Sequence, residues 1–359
     1  MRAEFIALAA LLAAGNAQAR EAYVVQDLSP TDAFELIYAT GINNNGVAVG
    51  YTDPTGILKY RSWTPVLFQG GTAALQNILP GTFNGAANAI NNDGLAVGWS
   101  SNDAGPMPGV TRATLFYRNY AIDLGGLPGA QDSEALAINQ RGVAVGFSDE
   151  GGATPVGPLA ESVMFANGIV TRLGILPGDY LAIATAINDL NQAVGYSVNL
   201  YGGTQAVLFA NGKATPLGQL PGGGGYSVAT GINNQGQIVG TAQLANGDMR
   251  AVMFENGVAI SLGTLPGGSN SAASGINNFG QVVGNSDGQA ALFQNGTVEA
   301  LPNLPDLAPG EPVLFSGASA INDRGQIVGF DSYSPQGGLI HPVMWTLAAQ
   351  FIPPTPAHP

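Results

Sequence analysis

The stretch Gly231-Ile-Asn-Asn-Gln-Gly-Gln-Ile-Val-Gly240 occurs seven times along this chain with conservative changes. The other copies begin at Gly41, Ala89, Ala137, Ala186, Gly275 and Ala320. Each copy places two short apolar segments around Asn, Asp and Gly residues, a pattern typical of a tight β-hairpin. In one copy Asn191 replaces the turn glycine, and Asn is the residue that next best tolerates a left-handed backbone. The replacement indicates a backbone constraint rather than chemistry.

Two further landmarks follow the repeated phrase at regular distances. The first is a short apolar segment that ends in an aromatic residue: Phe68, Phe116, Phe165, Phe209, Phe254, Phe293 and Trp345. The second is a Leu-Pro pair 12 residues later, with its proline at 80, 128, 177, 221, 266 and 305. The variable spacing lies between the Val-Gly pair and the aromatic, where it ranges from 9 to 19 residues. Each unit therefore keeps three segments in register and varies one loop.

Each unit is predicted to form four short strands, which in the third unit cover residues 136–138, 143–145, 163–165 and 169–173. Asn-Gly pairs at Asn167, Asn211, Asn256 and Asn295 mark clear hairpin turns. Residues Ala33 to Ala39 could be helix or strand. Four antiparallel strands in about 45 residues are typical of a propeller blade. We expect an all-β, seven-bladed β-propeller of four-stranded antiparallel blades; an open β-solenoid is the alternative.

The two ends of the chain predict how the ring closes. The last unit lacks its fourth strand after Trp345, whereas residues 22–30 precede the first phrase and resemble the missing segment. We therefore expect the N-terminal strand to complete the seventh blade. The predicted organisation is a signal peptide over residues 1–19, one propeller domain over 20–352 and a Pro-rich tail over 353–359.

The N-terminus has the pattern of a secretory signal peptide. Arg2 precedes an apolar run from Phe5 to Ala14, and Ala17-Gln18-Ala19 gives a small-residue cleavage site. This run is too short to span a bilayer, and no other stretch approaches the necessary length. The alternative is a buried N-terminal helix. We expect cleavage after Ala19 and a secreted or periplasmic protein.

Composition restricts the partners of this protein. The 359-residue chain has a formal net charge of −13, a pI near 4.3 and no cysteine. An acidic chain without a basic run is a poor match for nucleic acid or an anionic membrane surface. Without thiols, an exported chain must rely on its core and on ring closure for stability.

The three landmarks together resemble the bacterial HAF repeats, a family of probable extracellular proteins. The resemblance rests on S-x-A-x-x-I-N-x-x-G-x-V-V-G, an H-A-F-like strand and L-G-x-L-x-G, and it covers nearly all of the predicted mature chain. It implies export and a repeated β architecture, and it implies no activity. The chain departs from this pattern at the histidine, which only His341 matches. A histidine-dependent function shared by all units is therefore not expected.

Catalytic and metal-binding patterns are weak in this sequence. Its two histidines, His341 and His358, do not form a pattern typical of a Ser-His-Asp triad or a zinc site. A glycosidase pair could come from Asp149 and Glu150, with Asp53, Asp103 and Asp132 elsewhere. Turn acids occur in three units at Asp93, Asp189 and Asp323, whereas calcium loops alternate several acidic ligands. We predict no catalytic residue, no metal site and no cofactor.

An aromatic residue follows the Val-Gly pair in five units: Tyr51, Trp99, Phe147, Tyr196 and Phe330. Strand alternation places each on the same face as the preceding valine. Two interpretations are open, inter-blade core packing or a platform on which sugar rings stack. On the second interpretation these five residues are the candidate ligand-binding site.

The sequence favours a secreted, non-catalytic recognition or scaffold module for extracellular polysaccharide or a cell-surface protein. The variable loops 51–63, 99–112 and 147–161 are the longest, so a ligand is expected on that side. The alternative is a polysaccharide-acting enzyme, a glycoside hydrolase or lyase, that uses the loop carboxylates.

Overall fold

The computed structural model describes residues 22–29, 36–53, 63–103, 109–149, 160–306, 312–333 and 339–350. These ranges form 28 strands and no helix, arranged as seven four-stranded antiparallel sheets. The first strands of neighbouring blades contact one another in a closed circle around an axis. The predicted seven-bladed all-β propeller is confirmed. The structure contains, within the ranges it describes, no helix long and apolar enough to cross a membrane.

The strands are numbered in chain order, and blades 1 to 6 take four consecutive strands each from β2 onward. Before and within blades 1 and 2 they are β1 (Tyr23–Asp27), β2 (Ile37–Ile42), β3 (Ala48–Thr52), β4 (Thr64–Gln69), β5 (Thr72–Leu75), β6 (Asn84–Ile90), β7 (Ala96–Ser101), β8 (Thr111–Tyr117) and β9 (Tyr120–Gly125). Blades 3 and 4 contain β10 (Asp132–Ile138), β11 (Ala144–Asp149), β12 (Ala160–Ala166), β13 (Ile169–Arg172), β14 (Asp179–Ile187), β15 (Ala193–Asn199), β16 (Thr204–Ala210) and β17 (Lys213–Pro216). Blades 5 to 7 contain β18 (Ser227–Ile232), β19 (Ile238–Gln243), β20 (Met249–Glu255), β21 (Val258–Gly263), β22 (Ser271–Ile276), β23 (Val282–Ser286), β24 (Gln289–Gln294), β25 (Thr297–Ala300), β26 (Phe315–Ile321), β27 (Ile327–Ser332) and β28 (Ile340–Leu347).

The N-terminal strand closes the ring, as the sequence predicted. β1 pairs with β28 in the sheet order β1-β28-β27-β26, with Tyr23 opposite Leu347 and Asp27 opposite Val343. β1 is thus the outermost strand of blade 7. The chain ends of the propeller are held in one blade by backbone hydrogen bonds. The predicted signal peptide over 1–19 and the tail over 353–359 lie outside the described residues.

The hairpin turns have the predicted left-handed backbones. Asn191 has a φ of 59°, and Asn167 and Gly168 have φ values of 51° and 74° in the Asn-Gly turn of blade 3. Of the ambiguous segment Ala33 to Ala39, the described part enters strand β2. In blade 3 the first three strands are longer than their predicted apolar centres, because residues at their ends also pair, whereas the fourth ends at Arg172, one residue earlier than predicted.

Seven apolar clusters lie at the seven blade interfaces, and the aromatic landmark of every unit is buried in one of them. Between blades 1 and 2, for example, Val49 packs with Ala87, Ile90, Ala96 and Phe116. Each sheet buries one face against the preceding blade and the other against the following blade. A blade alone would therefore expose two apolar faces, and the closed ring covers both.

A β-bulge in the first strand explains the invariant glycine of the Val-Gly pair. The register of the first two strands shifts in every blade, in blade 5 between Ala229 and Gly231. The bulge brings a first-strand carbonyl so close that a Cβ on the facing glycine would lie 1.8 to 2.0 Å from its oxygen. Glycine is therefore required at this position by close approach of the two backbones.

Gly240→Ala tests this requirement, because its Cβ would lie 2.0 Å from the Val228 carbonyl oxygen. We expect the free energy of unfolding to fall by about 3 kcal/mol or more, since backbone must move to relieve the contact. The matched control is Gly275→Ala, where the nearest atom would lie 3.7 Å away and where four other copies carry Ala. Denaturant unfolding measures both variants, and equal stability would contradict the account.

Candidate functional site

The asparagine that follows Ile in each repeated phrase joins neighbouring blades around the axis. Its side-chain Nδ2 donates to the backbone carbonyl of the equivalent asparagine in the next blade, at 2.8 to 3.1 Å. The last bond, from Asn322 to Asn43, returns to blade 1 and completes the circle. We call these residues the first ring: Asn43, Asn91, Asn139, Asn188, Asn233, Asn277 and Asn322.

The same asparagines also fix their own turns. In each blade the side-chain Oδ1 accepts the backbone N–H groups two and four residues later, as Asn43 does from Asn45 and Val47. The position needs an acceptor for its turn and a donor for the next blade. A carboxamide of this length supplies both, which explains why all seven units carry Asn there.

The next residue of the phrase forms a second ring: Asn44, Asn92, Gln140, Asp189, Asn234, Asn278 and Asp323. Each backbone N–H in this ring donates to a side-chain oxygen of the following blade at 2.8 to 2.9 Å. This circle closes from Asp323 to Asn44. The bond requires one side-chain acceptor and no donor. Asn, Gln and Asp all satisfy it, so the sequence varies among these three residue types.

The second ring lines a cavity of about 370 Å³ at the end of the central channel, with the isoleucines of the phrase below it. We call this cavity the axial mouth. One oxygen of each side chain is occupied by the neighbouring blade, so the remaining atoms are carboxamide NH₂ groups in five blades and a carboxylate oxygen in two. Asp189 Oδ2 accepts a hydrogen bond from Asn234 Nδ2, and Asp323 Oδ2 accepts from Asn44 Nδ2 and Asn278 Nδ2. Asn92 Nδ2 and Gln140 Nε2 have no partner among the described residues.

The five aromatic residues predicted as a ligand site are all half-buried. Strand alternation places each on the face of the valine two residues before it, and Val49 packs against blade 2. Tyr51 stacks on Tyr38 with ring centroids 5.0 Å apart and contacts the edge of Trp63. Phe330 contacts the edge of Tyr38 across the interface of blades 7 and 1. These positions lie at strand ends away from the axial mouth. Their assignment as ligand-binding residues stays a prediction.

The structure describes only one residue of the predicted carboxylate pair. Asp149 is buried at the end of β11, directly opposite Asp132 on β10. Asp132 accepts the backbone N–H of Thr111 at 2.7 Å and so caps a strand of the preceding blade. Glu150 lies outside the described residues, as do most residues of the three long loops. Among the residues that the structure does describe, no three His, Asp or Glu side chains are grouped to hold a metal ion.

A cluster of titratable side chains lies beside the closing strand in blade 7. His341 Nδ1 lies 2.8 Å from Asp27 Oδ2, and Ser29 Oγ is 3.3 Å from the same nitrogen. Burial acts to raise the pKa of Asp27, but hydrogen bonds and the charge of His341 outweigh it and hold the pKa below its usual value. The contact joins β1 to β28 by side chains as well as by backbone.

Asp331 is the unusual member of this cluster. It occupies the second position after the Val-Gly pair, where the other units carry Thr52, Ser100, Ser148, Ser197, Ala242 and Ser286. In three blades the serine hydroxyl accepts the N–H of the Leu in the Leu-Pro segment, and Asp331 Oδ2 accepts that of Leu304 at 2.7 Å. Its Oδ1 is buried without a hydrogen-bond partner. Burial raises the pKa of Asp331 to about 6.

Sequence reasoning missed the two rings and the mouth because it attributed Asn and Gly to local turns. The differences between the seven units did contain evidence for the rings. The first Asn of the phrase is the same in all seven units, while the second position accepts Asp and Gln. A turn alone would tolerate Asp at the first position too, since Asp also accepts backbone N–H groups.

No family model and no curated protein matches this sequence. Solved structures do match. A streptogramin B lyase structure aligns with a TM-score of 0.53 and 10% identity, over 92% of this chain and 100% of the other. An acylaminoacyl peptidase from Pyrococcus horikoshii gives 0.48 and 10% over 83% and 49% of the two chains. A gluconolactonase from Xanthomonas campestris gives 0.42 and 10% over 90% of each. At such low identity the likeness shows the fold alone.

The two ring positions make opposite predictions for one substitution. Asn91→Asp removes the buried donor to Asn139 and places a charge there, so we expect a loss of about 2 kcal/mol or more in unfolding free energy. Asn92→Asp keeps the acceptor used by Asn44 and is expected to cost less than about 0.5 kcal/mol. Denaturant unfolding compares these adjacent residues directly. Equal losses would show that the donor does not join the blades.

Asp331→Ser is predicted to stabilise the protein at alkaline pH. The pKa of Asp331 is raised from 3.8 to about 6 in the folded state, so its contribution is favourable at low pH and is lost as pH rises through 6. Above that pH the charged form costs up to about 3 kcal/mol, and a serine avoids this cost while accepting the Leu304 N–H.

Unfolding at pH 4 and pH 8 measures the effect. The gain should appear at pH 8 and vanish at pH 4. The control is Asp93→Ser, because Asp93 is an exposed turn carboxylate. A gain that is the same at both pH values would refute the assignment to ionisation of Asp331.

Proposed function

We propose that this protein is an exported, non-catalytic recognition module that binds a neutral polysaccharide at the axial mouth. The observation that carries the proposal is the set of polar atoms left over by the second ring. Ring closure uses one oxygen at each of seven positions. Among the described residues, Asn92 Nδ2 and Gln140 Nε2 have no partner, while the other polar atoms of the remaining five positions hydrogen-bond to one another. Each carboxamide in these five positions keeps a second hydrogen that can donate to a ligand at the mouth.

The leftover atoms combine donors and acceptors in the way that hydroxyl groups need. Carboxamide NH₂ groups donate to a hydroxyl oxygen, and the carboxylates of Asp189 and Asp323 accept from a hydroxyl hydrogen. These two acids are three blades apart in a ring of seven, so they face each other across the axis. A volume of about 370 Å³ lies at the small end of the range of ligand pockets, about 300–1,000 Å³.

Closure of the second ring does not require an acid, because Asn, Gln and Asp all supply its acceptor. Asp189 and Asp323 use their second oxygens to accept from neighbouring carboxamides, and they place negative charge at the mouth. Two carboxylates at the mouth, in a chain of net charge −13, disfavour a polyanionic ligand. A neutral hydroxyl-rich chain is the polysaccharide class that this pattern fits.

Export and the resemblance to HAF repeats are part of the proposal. The comparison with solved structures supports a propeller scaffold, and propellers host many unrelated functions. The polysaccharide class is therefore argued from the atoms of the mouth. A cell-surface protein as ligand is the other partner that the sequence suggested.

Binding to neutral glycans tests the proposal. A glycan array followed by calorimetry with cello-, manno- and malto-oligosaccharides should find binding to at least one neutral series. Gln140→Glu replaces a free donor with an acceptor and retains the oxygen that accepts from Asn92. We expect a loss of about tenfold in affinity, equivalent to about 1.4 kcal/mol.

The control is Gln235→Glu, an exposed residue on a turn of the same face that makes the same change of charge. Binding that is lost equally in both variants, or no neutral glycan bound by the native chain, would overturn the proposal. Release of new reducing ends during these incubations would favour the enzyme alternative instead.

A further inference from the structure

We propose that the ligand is an oligosaccharide chain whose end lies in the axial mouth and whose following residues lie in a radial groove between blades 1 and 2. This inference rests on the proposed function and adds the direction and extent of the bound chain. The groove has a volume of about 600 Å³ and lies on the face formed by the repeated-phrase turns.

The groove and the mouth are continuous. Asn43, Ile90 and Asn92 line both cavities, so a chain that leaves the mouth beside Asn92 enters the groove directly. From there the groove runs outward along the blade interface to the third-to-fourth-strand turn of blade 2, at Arg118 and Asn119. With strands spaced about 4.8 Å apart, two strand spacings add roughly 10 Å to the site.

The groove has the composition of a carbohydrate subsite, with an apolar floor and polar edges. Its floor contains Val47 and Leu67 of blade 1 and Phe116 of blade 2. Its edges carry the exposed polar side chains of Gln69 and Asp93. Apolar surface suits the C–H faces of sugar rings, and the amide and carboxylate edges suit their hydroxyl groups.

Arg118 marks the outer end of the groove and departs from the repeat. Blades 3 to 6 make this turn with Asn-Gly, whereas blade 2 uses Arg118-Asn119 with φ values of 48° and 66°. A left-handed backbone is unfavourable for a long side chain, so the fold alone does not favour Arg there. The Arg118 guanidinium carbon lies 4.9 Å from the ring centroid of Tyr117, which holds the cation at the groove.

The outer end is also fixed across the two blades. Asn77, which follows β5 of blade 1, donates from its backbone N–H to Asn119 Oδ1 and from Nδ2 to the Asn119 carbonyl, both at 2.9 Å. These bonds hold the Arg118 turn of blade 2 against blade 1. The groove therefore has a fixed end, which limits the number of sugar residues that can contact the protein.

The experiment measures affinity against chain length for whichever of the cello-, manno- and malto-series binds, from the monosaccharide to the hexasaccharide. Affinity should rise with the first added residues and then reach a plateau. Arg118→Asn restores the turn residue of blades 3 to 6, so folding should not suffer. This variant should lose about tenfold in affinity for the hexasaccharide and none for the monosaccharide.

The control is Lys213→Asn, which removes an exposed cation beside the equivalent turn of blade 4. Binding that is independent of length, or an equal loss for short and long chains in Arg118→Asn, would overturn the groove while leaving the mouth in place. Absence of binding to any neutral glycan would overturn the proposed function and the groove with it. A plateau in the native chain together with a length-dependent loss in Arg118→Asn alone supports the inference.

Discussion

The carboxamide of one asparagine per blade is the interaction on which this propeller depends. Its oxygen organises the turn that joins the first two strands, and its NH₂ group holds the next blade. Apolar packing at the blade interfaces supplies area but no direction, since dispersion and burial are non-directional. The ring of hydrogen bonds fixes how neighbouring blades are placed at the axis. Both rings close between blades 7 and 1, where β1 also completes the outer edge of the sheet.

The two rings show how hydrogen-bonding requirements differ between adjacent residues. Position one of the turn needs an acceptor and a donor, and it is Asn in every blade. Position two needs an acceptor alone for ring closure, so Asn, Gln and Asp all occur there. The same logic applies in blade 7, where Asp331 replaces the serine of other units and retains its hydrogen bond to the Leu-Pro segment. Because a carboxylate has a second oxygen, Asp331 Oδ1 is left buried without a hydrogen-bond partner, an atom that a serine would not have.

The sequence was sufficient to predict the architecture because the repeat is determined by local geometry. The spacing of the landmarks predicted four strands per unit, Asn191 indicated a left-handed turn, and residues 22–30 predicted the closing strand. It did not predict the rings, because the partner of Asn43 is 48 residues away and lies in a neighbouring blade. It did not predict the groove either, since the groove is lined by residues of two blades that are far apart in the sequence. The second ring and the axial mouth lie on the face opposite the variable loops, because consecutive connections of an antiparallel blade lie at opposite ends of the sheet.

Hydrogen exchange of the turn amides tests the central claim most directly. The second-ring N–H groups, from Asn44 to Asp323, lie in turns at the surface of the disc, where unpaired amides exchange rapidly. If each donates to the next blade, all seven should be protected to nearly the same degree as the buried strands. The amide of Gly168, in the Asn-Gly turn of blade 3 on the same face, provides an internal comparison. Rapid exchange at the second-ring amides, matching that of Gly168, would contradict the account.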